Sequence, residues 1–269
     1  MLWQRFSLQG HLVNHTIRRE KMSLAPLLGA AVTCFIKIID KPVYKIQQLV
    51  IYNDYGHTEV QIIKKERRNM SYIETYRKFS KAIVKEHASI FSQLDMEQLK
   101  TFVDAIIGAK HIFVHGTGRE GISMRGFVMR LAHLGKPAYW LMDDTTIGMH
   151  EGDLFIICDG RGDVGIHRRI VQQAKKTGVR IAMVTALPEG NLAKNYADII
   201  LFVHSTVYMD EKHAEPDAPK QHDVVPTEQP MGNQYEQHIY LLMDIIAIIV
   251  KDEMGLSYDD MEANHRNIE

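Results

Sequence analysis

Residues His111-Ile-Phe-Val-His-Gly-Thr-Gly-Arg-Glu-Gly121 run from a short apolar strand straight into a glycine-rich turn. The same pattern returns in Asp153-Leu-Phe-Ile-Ile-Cys158, which leads into Asp159-Gly-Arg-Gly-Asp163. Apolar runs of this length without polar alternation suit strands buried on both faces. Each turn precedes a stretch of helical spacing: 122–134, stopped by Gly135, and 164–177, stopped by Gly178. Further strands are predicted at 137–141, 179–185 and 198–203, with a short helical piece at 192–196. Alternating strands and helices imply a parallel sheet with helices on both faces and right-handed crossovers. In such sheets ligands bind beyond the carboxyl ends of the strands, where both glycine turns fall, each at a helix start suited to an anion.

Flanking segments complete the pattern. A helix is predicted over 72–87, with Ile73, Tyr76, Phe79, Ile83 and Val84 on one face, and a second over 96–107, capped by Asp95 and ended by Gly108. Residues 204–229, containing Pro216, Pro219 and Pro226, read as an exposed loop. The helix predicted over 234–254 is apolar over more than one stripe, so it should be buried widely, against a second subunit as well as its own core. Ser257 caps a last short helix.

The chain has 269 residues, and its formal net charge of -1 conceals an asymmetry. Residues 1–69 carry 11 Lys+Arg against 5 Asp+Glu, a net of +6, which leaves -7 for residues 70–269. The composition excludes a disordered chain or a fibre, and the overall charge gives no sign of nucleic-acid binding. Two cysteines, Cys34 and Cys158, are too few for a disulfide framework. The apolar run 24–36 behind Arg18-Arg-Glu-Lys21 has the look of a signal-peptide core, but it contains Pro26, lacks a clean cleavage site and is short for a membrane span. Strand-like residues at 42–52 argue against a helix-turn-helix head. Lys64-Lys-Glu-Arg-Arg-Asn69 directly before Met70 has purine-rich codons, as a ribosome-binding site would. We therefore expect residues 1–69 to be a poorly structured extension or a mis-assigned start, and 70–269 to be the functional domain. A solvated basic linker is the plain alternative.

Gly116-x-Gly118-x-x-Gly121 matches a dinucleotide fingerprint, with Asp143 or Asp144 placed for a ribose, but a second glycine turn is then unexplained. Tight turns without any ligand are the structural alternative. The 14 histidines are scattered without metal-ligand spacing, so no metal is expected. Glu236 at the start of the long helix is favoured there by the helix dipole even without function. His265 reads equally as a frayed surface residue.

The order of these motifs resembles the sugar isomerase (SIS) domain family, and within it the 6-phospho-3-hexuloisomerases. The matching stretches are Val114-His-Gly-Thr-Gly-Arg-Glu-Gly121, Phe127-Val-Met-Arg-Leu-Ala-His-Leu-Gly135, Gly152-Asp-Leu-Phe-Ile-Ile157, Pro230-Met-Gly-Asn-Gln-Tyr-Glu236 and Met261-Glu-Ala-Asn-His-Arg-Asn-Ile-Glu269. They span residues 70–269. The resemblance implies an α/β three-layer αβα sandwich around a five-stranded parallel sheet, flavodoxin-like, with N-terminal and C-terminal helices. It also implies a cytoplasmic homo-oligomer, a tetramer or dimer, acting on a small-molecule sugar phosphate. No cofactor, metal, nucleic acid or membrane is implied. The implied reaction interconverts a 3-hexulose 6-phosphate and fructose 6-phosphate through an enediol. Glu236 and His265 would be its acid/base residues. Gly116, Thr117, Gly118, Arg119, Thr145, Thr146, Asp159, Gly160, Arg161, Gly162 and Asp163 would bind substrate.

Two departures from the family pattern stand out. Its first turn usually reads G-x-G-R-S-G, and Glu120 replaces the serine. Its phosphate loop usually reads S-G-S-G-E-T, and here it is Asp159-Gly-Arg-Gly-Asp-Val164. Two acids facing a phosphate dianion would weaken its binding, partly offset by Arg161. That loop keeps a second hypothesis open, a non-catalytic SIS-type protein that binds sugar derivatives. A nucleotide-dependent oxidoreductase ranks third.

Overall fold

The computed structural model describes residues 18–23, 33–41, 44–52, 64–67, 71–208 and 219–268, and the chain divides into two compact units after Tyr76. The first unit carries an antiparallel four-stranded meander: β1 (Arg18–Ser23), β2 (Thr33–Lys41), β3 (Tyr44–Tyr52) and β4 (Lys64–Arg67). The strand-like reading of 42–52 corresponds to β3, which pairs along its whole length with β2. Most of the apolar run 24–36, and Met70 itself, lie outside the described residues.

The second unit holds five parallel strands: β5 (Ile112–Gly116), β6 (Ala138–Trp140), β7 (Leu154–Cys158), β8 (Arg180–Thr185) and β9 (Ile199–Phe202). They lie in the order β6-β5-β7-β8-β9, the flavodoxin-like arrangement. The helices are α1 (Tyr72–Phe91), α2 (Met96–Gly108), α3 (Gly118–His133), α4 (Gly165–Lys176), α5 (Asn191–Tyr196), α6 (Asn233–Glu253) and α7 (Tyr258–Ala263).

Strand alternation splits the core into two layers. Ile112, Val114, Ile156 and Val184 join Phe102, Phe127, Leu131, Ile239, Leu242 and Ile246 in one cluster, under α2, α3 and α6. Phe113, Phe155, Ile157 and Met183 join Val171, Ala174 and Leu192 in the other, under α4 and α5. The expected three-layer sandwich is present.

Local signals behave as their chemistry requires. Asp95 Oδ1 accepts the Glu97 and Gln98 amide hydrogens at 2.8 and 3.0 Å, capping α2. Ser257 and Asp260 form a reciprocal capping box on α7. Two expectations need correction. Helix α3 begins at Gly118, a turn earlier than the predicted 122, so Arg119 and Glu120 stand in its first turn. On α1, Ile73, Tyr76 and Val84 are exposed; the buried positions are His87 and Ile90.

Register places the site. The chain leaves β5 for the sheet edge at β6, then returns on the opposite side of β5 as β7, a topological switch point. Gly116 pairs with Cys158, so both glycine turns emerge side by side at that point. The close approach depends on glycine: a Cβ on Gly121 would lie 2.6 Å from the Gly116 carbonyl oxygen.

Candidate functional site

The first turn of α3 and the start of α6 meet above the two strand ends. Arg119 Nε donates to Glu236 Oε2 at 2.5 Å, and Ser123 Oγ donates to the Glu236 carbonyl at 2.9 Å. The Glu236 side chain is 18% exposed and that of Arg119 58%, so the pair opens onto solvent with the carboxylate at its inner side.

The beginning of α6 is anchored by buried polar bonds. Tyr235 is fully buried; its hydroxyl donates to the Val184 carbonyl at 2.9 Å and lies 3.4 Å from Cys158 Sγ. Burial pushes both that phenol and the Cys158 thiol well above their usual ranges, so both stay neutral. Buried Gln234 accepts from Ser205 Oγ at 3.0 Å and from the Thr206 amide at 2.8 Å. Its own amide donates to Glu86 Oε2, which also accepts from Thr227 and Gln229. Glu86 on α1 thereby fixes the chain entering α6. Nothing in the sequence pattern marks Glu86 or Gln234 for this.

Asp159 lies differently from the sequence expectation. Its side chain is fully buried. Its Oδ2 accepts from the Val164 amide and from His167 Nδ1, each at 2.9 Å. Behind it the His167 and His115 rings meet edge-on, with centroids 5.2 Å apart. Neither His115 nitrogen has a partner in the structure, nor does His167 Nε2. Asp163 is also occupied, by Arg168 at 3.0 Å and by Asn191 at 3.2 Å. The two acids are therefore both engaged by partners within the chain. Arg161 has a buried Nε without a hydrogen-bond partner.

Glu120 is the acid that reaches the loop. Its Oε2 accepts from the Gly160 amide at 3.3 Å. Burial first, then the nearby Asp159, raise its pKa to about 8.

Of the remaining candidates, Thr117 occupies the N-cap position of α3 without a side-chain cap bond, and Gly118 has φ +55°. Thr146 Oγ1 donates to the Trp140 carbonyl at 2.7 Å, while Thr145 is exposed. Gly162, at φ +62°, turns the loop back against the Leu187 carbonyl, where a side chain has no room. His265 is not brought to Glu236 within one chain. Its ring packs on His133, centroids 4.8 Å apart, at the far end of α3 from Arg119. Arg119 and His133, near opposite ends of α3, are about 21 Å apart along the helix at ~1.5 Å per residue.

A hollow lined by Asp104, Gly108, Glu151, Gly152, Asp153 and Arg180 lies at the amino ends of β7 and β8. That is the wrong end of a parallel sheet for a ligand, and its Asp153 is already bound by His111 and the His150 amide. Among the described residues no group of three or more His, Cys, Asp or Glu side chains is placed to hold a metal. No described helix is long and apolar enough to cross a membrane.

The buried imidazoles set an acid limit. His238, buried against His87 and Phe91, has its pKa lowered to about 3, by burial and then by His87. That of His115 is lowered to about 4, by burial and then by His167 and Arg125. Both stay neutral when folded and take a proton near pH 6.5 when unfolded. Their stabilisation is full above that pH and is lost as pH falls toward 4 and 3. Glu120 acts with the opposite sign: its contribution is full below pH 4.5 and lost as pH rises to about 8. Two imidazoles against one carboxyl leave a net loss of about 1 kcal/mol between pH 6.5 and 5. Urea unfolding across that interval should show it; an unchanged midpoint would count against neutral buried imidazoles.

The five-stranded parallel sheet, the paired glycine turns at its switch point and the carboxylate over them define a sugar isomerase type of α/β domain. Comparison with known proteins agrees. The chain is 29% identical to the 3-hexulose-6-phosphate isomerase of Bacillus subtilis, over 189 residues, 70% of this chain and 95% of that one. It is 27% identical to the enzyme of the same name from Mycobacterium gastri, over 68% of this chain and 86% of that one. Protein MJ1247 of Methanococcus jannaschii, whose crystal structure infers a 3-hexulose-6-phosphate isomerase function, matches with a TM-score of 0.58 at 23% identity. That match covers 71% of this chain and 99% of MJ1247. No family model matches the chain. These likenesses support an SIS-type family for the chain, close to the 6-phospho-3-hexuloisomerases.

Proposed function

We propose that this chain is a sugar-phosphate isomerase that interconverts a 3-hexulose 6-phosphate and fructose 6-phosphate. The observation that carries the reading is Glu236, held by Arg119 at the open mouth of the two glycine turns. The relatives' names supply the substrate class. Moving a carbonyl from C3 to C2 requires removal of the C2 proton to give an enediol, and its return to C3. One carboxylate suffices for both transfers. Arg119 would orient the Glu236 carboxylate toward the sugar. Arg161, with its unpartnered buried Nε, and the turn amides would take the phosphate.

A second group must shuttle protons between the two oxygens. In this proposal it is His265 of a neighbouring copy, since His265 lies too far from Glu236 within one chain. Helix α6 buries one stripe and leaves Tyr240, Leu241, Ile245 and Ile248 exposed, beside exposed Ile122 and Met129 on α3. Such a surface favours association. A monomeric mass by light scattering under assay conditions would remove His265 from the mechanism. We place the functional domain at 70–269, with 1–69 as an extension to it.

The rewritten loop, which lacks any hydroxyl side chain between Asp159 and Val164, favours a second reading: an SIS protein that binds a sugar derivative without turning it over. A thermal-shift series on the full chain with fructose 6-phosphate, fructose and inorganic phosphate tests both. A ligand at 100 times its Kd should add about 2.7 kcal/mol of stability. Stabilisation by the phosphosugar together with turnover supports the isomerase. Stabilisation without turnover selects the binding protein, no response to fructose 6-phosphate overturns the isomerase, and no response to any of the three ligands overturns both.

A further inference from the structure

Glu120 stands at a position where the resembling families carry a hydroxyl, and its carboxyl reaches from the first turn of α3 to the neighbouring turn. Its Oε2 accepts from the Gly160 amide at 3.3 Å. A Cβ built on Gly160 would meet Tyr235 at 2.8 Å, Val207 at 2.9 Å and Glu120 Oε1 at 3.0 Å, so the carboxyl packs directly on the loop backbone. Titratable groups face it from both neighbouring elements. Asp159 and Cys158 come from the end of β7, and Tyr235 and Glu236 from the start of α6. The thiol and phenol are neutral, and the other two are acids. The nearby cation, Arg119 on its own turn, is engaged by Glu236. An ionised Glu120 would add a third carboxylate beside Asp159 and Glu236.

We propose that Glu120, in its neutral carboxylic-acid form, is the hydroxyl donor to the substrate's phosphate, replacing the hydroxyl side chains that this loop lacks. The inference rests on the phosphosugar reading above. A protonated carboxyl has one O–H donor, the same function a serine supplies. With Oε2 on the Gly160 amide, the carboxyl lies at the loop where the phosphate would sit. Ionised, it becomes an acceptor facing a phosphate dianion, and binding fails through repulsion and a lost donor.

The consequence is a window. A phosphate monoester becomes a dianion above about pH 6, and Glu120 ionises near pH 8. Phosphosugar affinity should be greatest between these values. Above pH 8 it should fall, approaching about tenfold per pH unit, the slope for one required proton. Tyr235 and Cys158 titrate well above this window and do not mimic the effect.

The test is calorimetric titration of the full chain with fructose 6-phosphate from pH 6.5 to 9.5 at constant ionic strength, with fructose as the unphosphorylated control. Glu120→Gln keeps a neutral donor that does not titrate, and Glu120→Ser restores the hydroxyl. The expected result is a wild-type Kd that rises above pH 8, and variants whose Kd stays flat to pH 9.5. A flat wild-type profile, or the same loss in both variants, overturns the role of Glu120 while phosphosugar binding stands. No fructose 6-phosphate binding by any of the three proteins at any pH overturns the phosphosugar reading and this inference together.

Discussion

Glu236→Gln should lower kcat for interconversion of the 3-hexulose 6-phosphate and fructose 6-phosphate by about 10²- to 10⁴-fold, the range for loss of a positioned acid/base group. KM should change little, because glutamine keeps the shape and an acceptor while losing the ability to take a carbon proton. Stability should also change little. The partner, Arg119, is more than half exposed, and an ion pair open to solvent is worth at most about 1 kcal/mol. The backbone anchors of this helix start, Tyr235 and Gln234, are untouched by the substitution. A coupled assay beside a melting curve separates the effects. A kcat within a few-fold of the wild type in a folded protein would exclude Glu236 as the base.

Much of the domain was legible because strand burial and helix stops have strong one-dimensional signatures. The run predicted at 153–158 is β7, Leu154–Cys158. Gly135 and Gly178, read as helix stops, both adopt positive φ. The start of α3 was misplaced because Gly116, Gly118 and Gly121 blank out the apolar spacing that marks a helix. Only the tertiary contact of Gly121 with the Gly116 carbonyl shows that the helix has already begun. The exposed Ile73, Tyr76 and Val84 show the converse, an apolar pattern that the described structure does not bury.

Side-chain direction was the least legible property of the site. Asp159 and Glu120 both read as acids confronting a phosphate. The loop bends at Gly162 and His167 waits one turn into α4, so Asp159 folds back into the protein. Glu120 instead reaches the Gly160 amide and the Cys158 thiol. The His265 position was equally hidden, since its closeness to the chain end says nothing about which end of α3 it packs on.

Asp159→Ala is expected to cost about 3 kcal/mol of stability, far more than the loss of a surface loop acid. Its partners are the fully buried His167 ring and the half-buried Val164 amide. Without Oδ2 the Val164 amide and His167 Nδ1 lose their acceptor. Each buried unsatisfied donor costs about 1–3 kcal/mol. The opposing effect is relief of a buried carboxylate whose Oδ1 has no partner in the structure. It does not outweigh the two stranded donors, since removing one member of a buried hydrogen-bonded pair costs about 3–5 kcal/mol in net terms. The same substitution should let Glu120 ionise at lower pH, because Asp159 is the second cause of its raised pKa. Urea unfolding at pH 7.5 checks the first effect, and the pH profile of fructose 6-phosphate binding, displaced to lower pH, checks the second. A variant as stable as the wild type would mean that Asp159 faces the ligand after all, with its loss expressed in affinity alone.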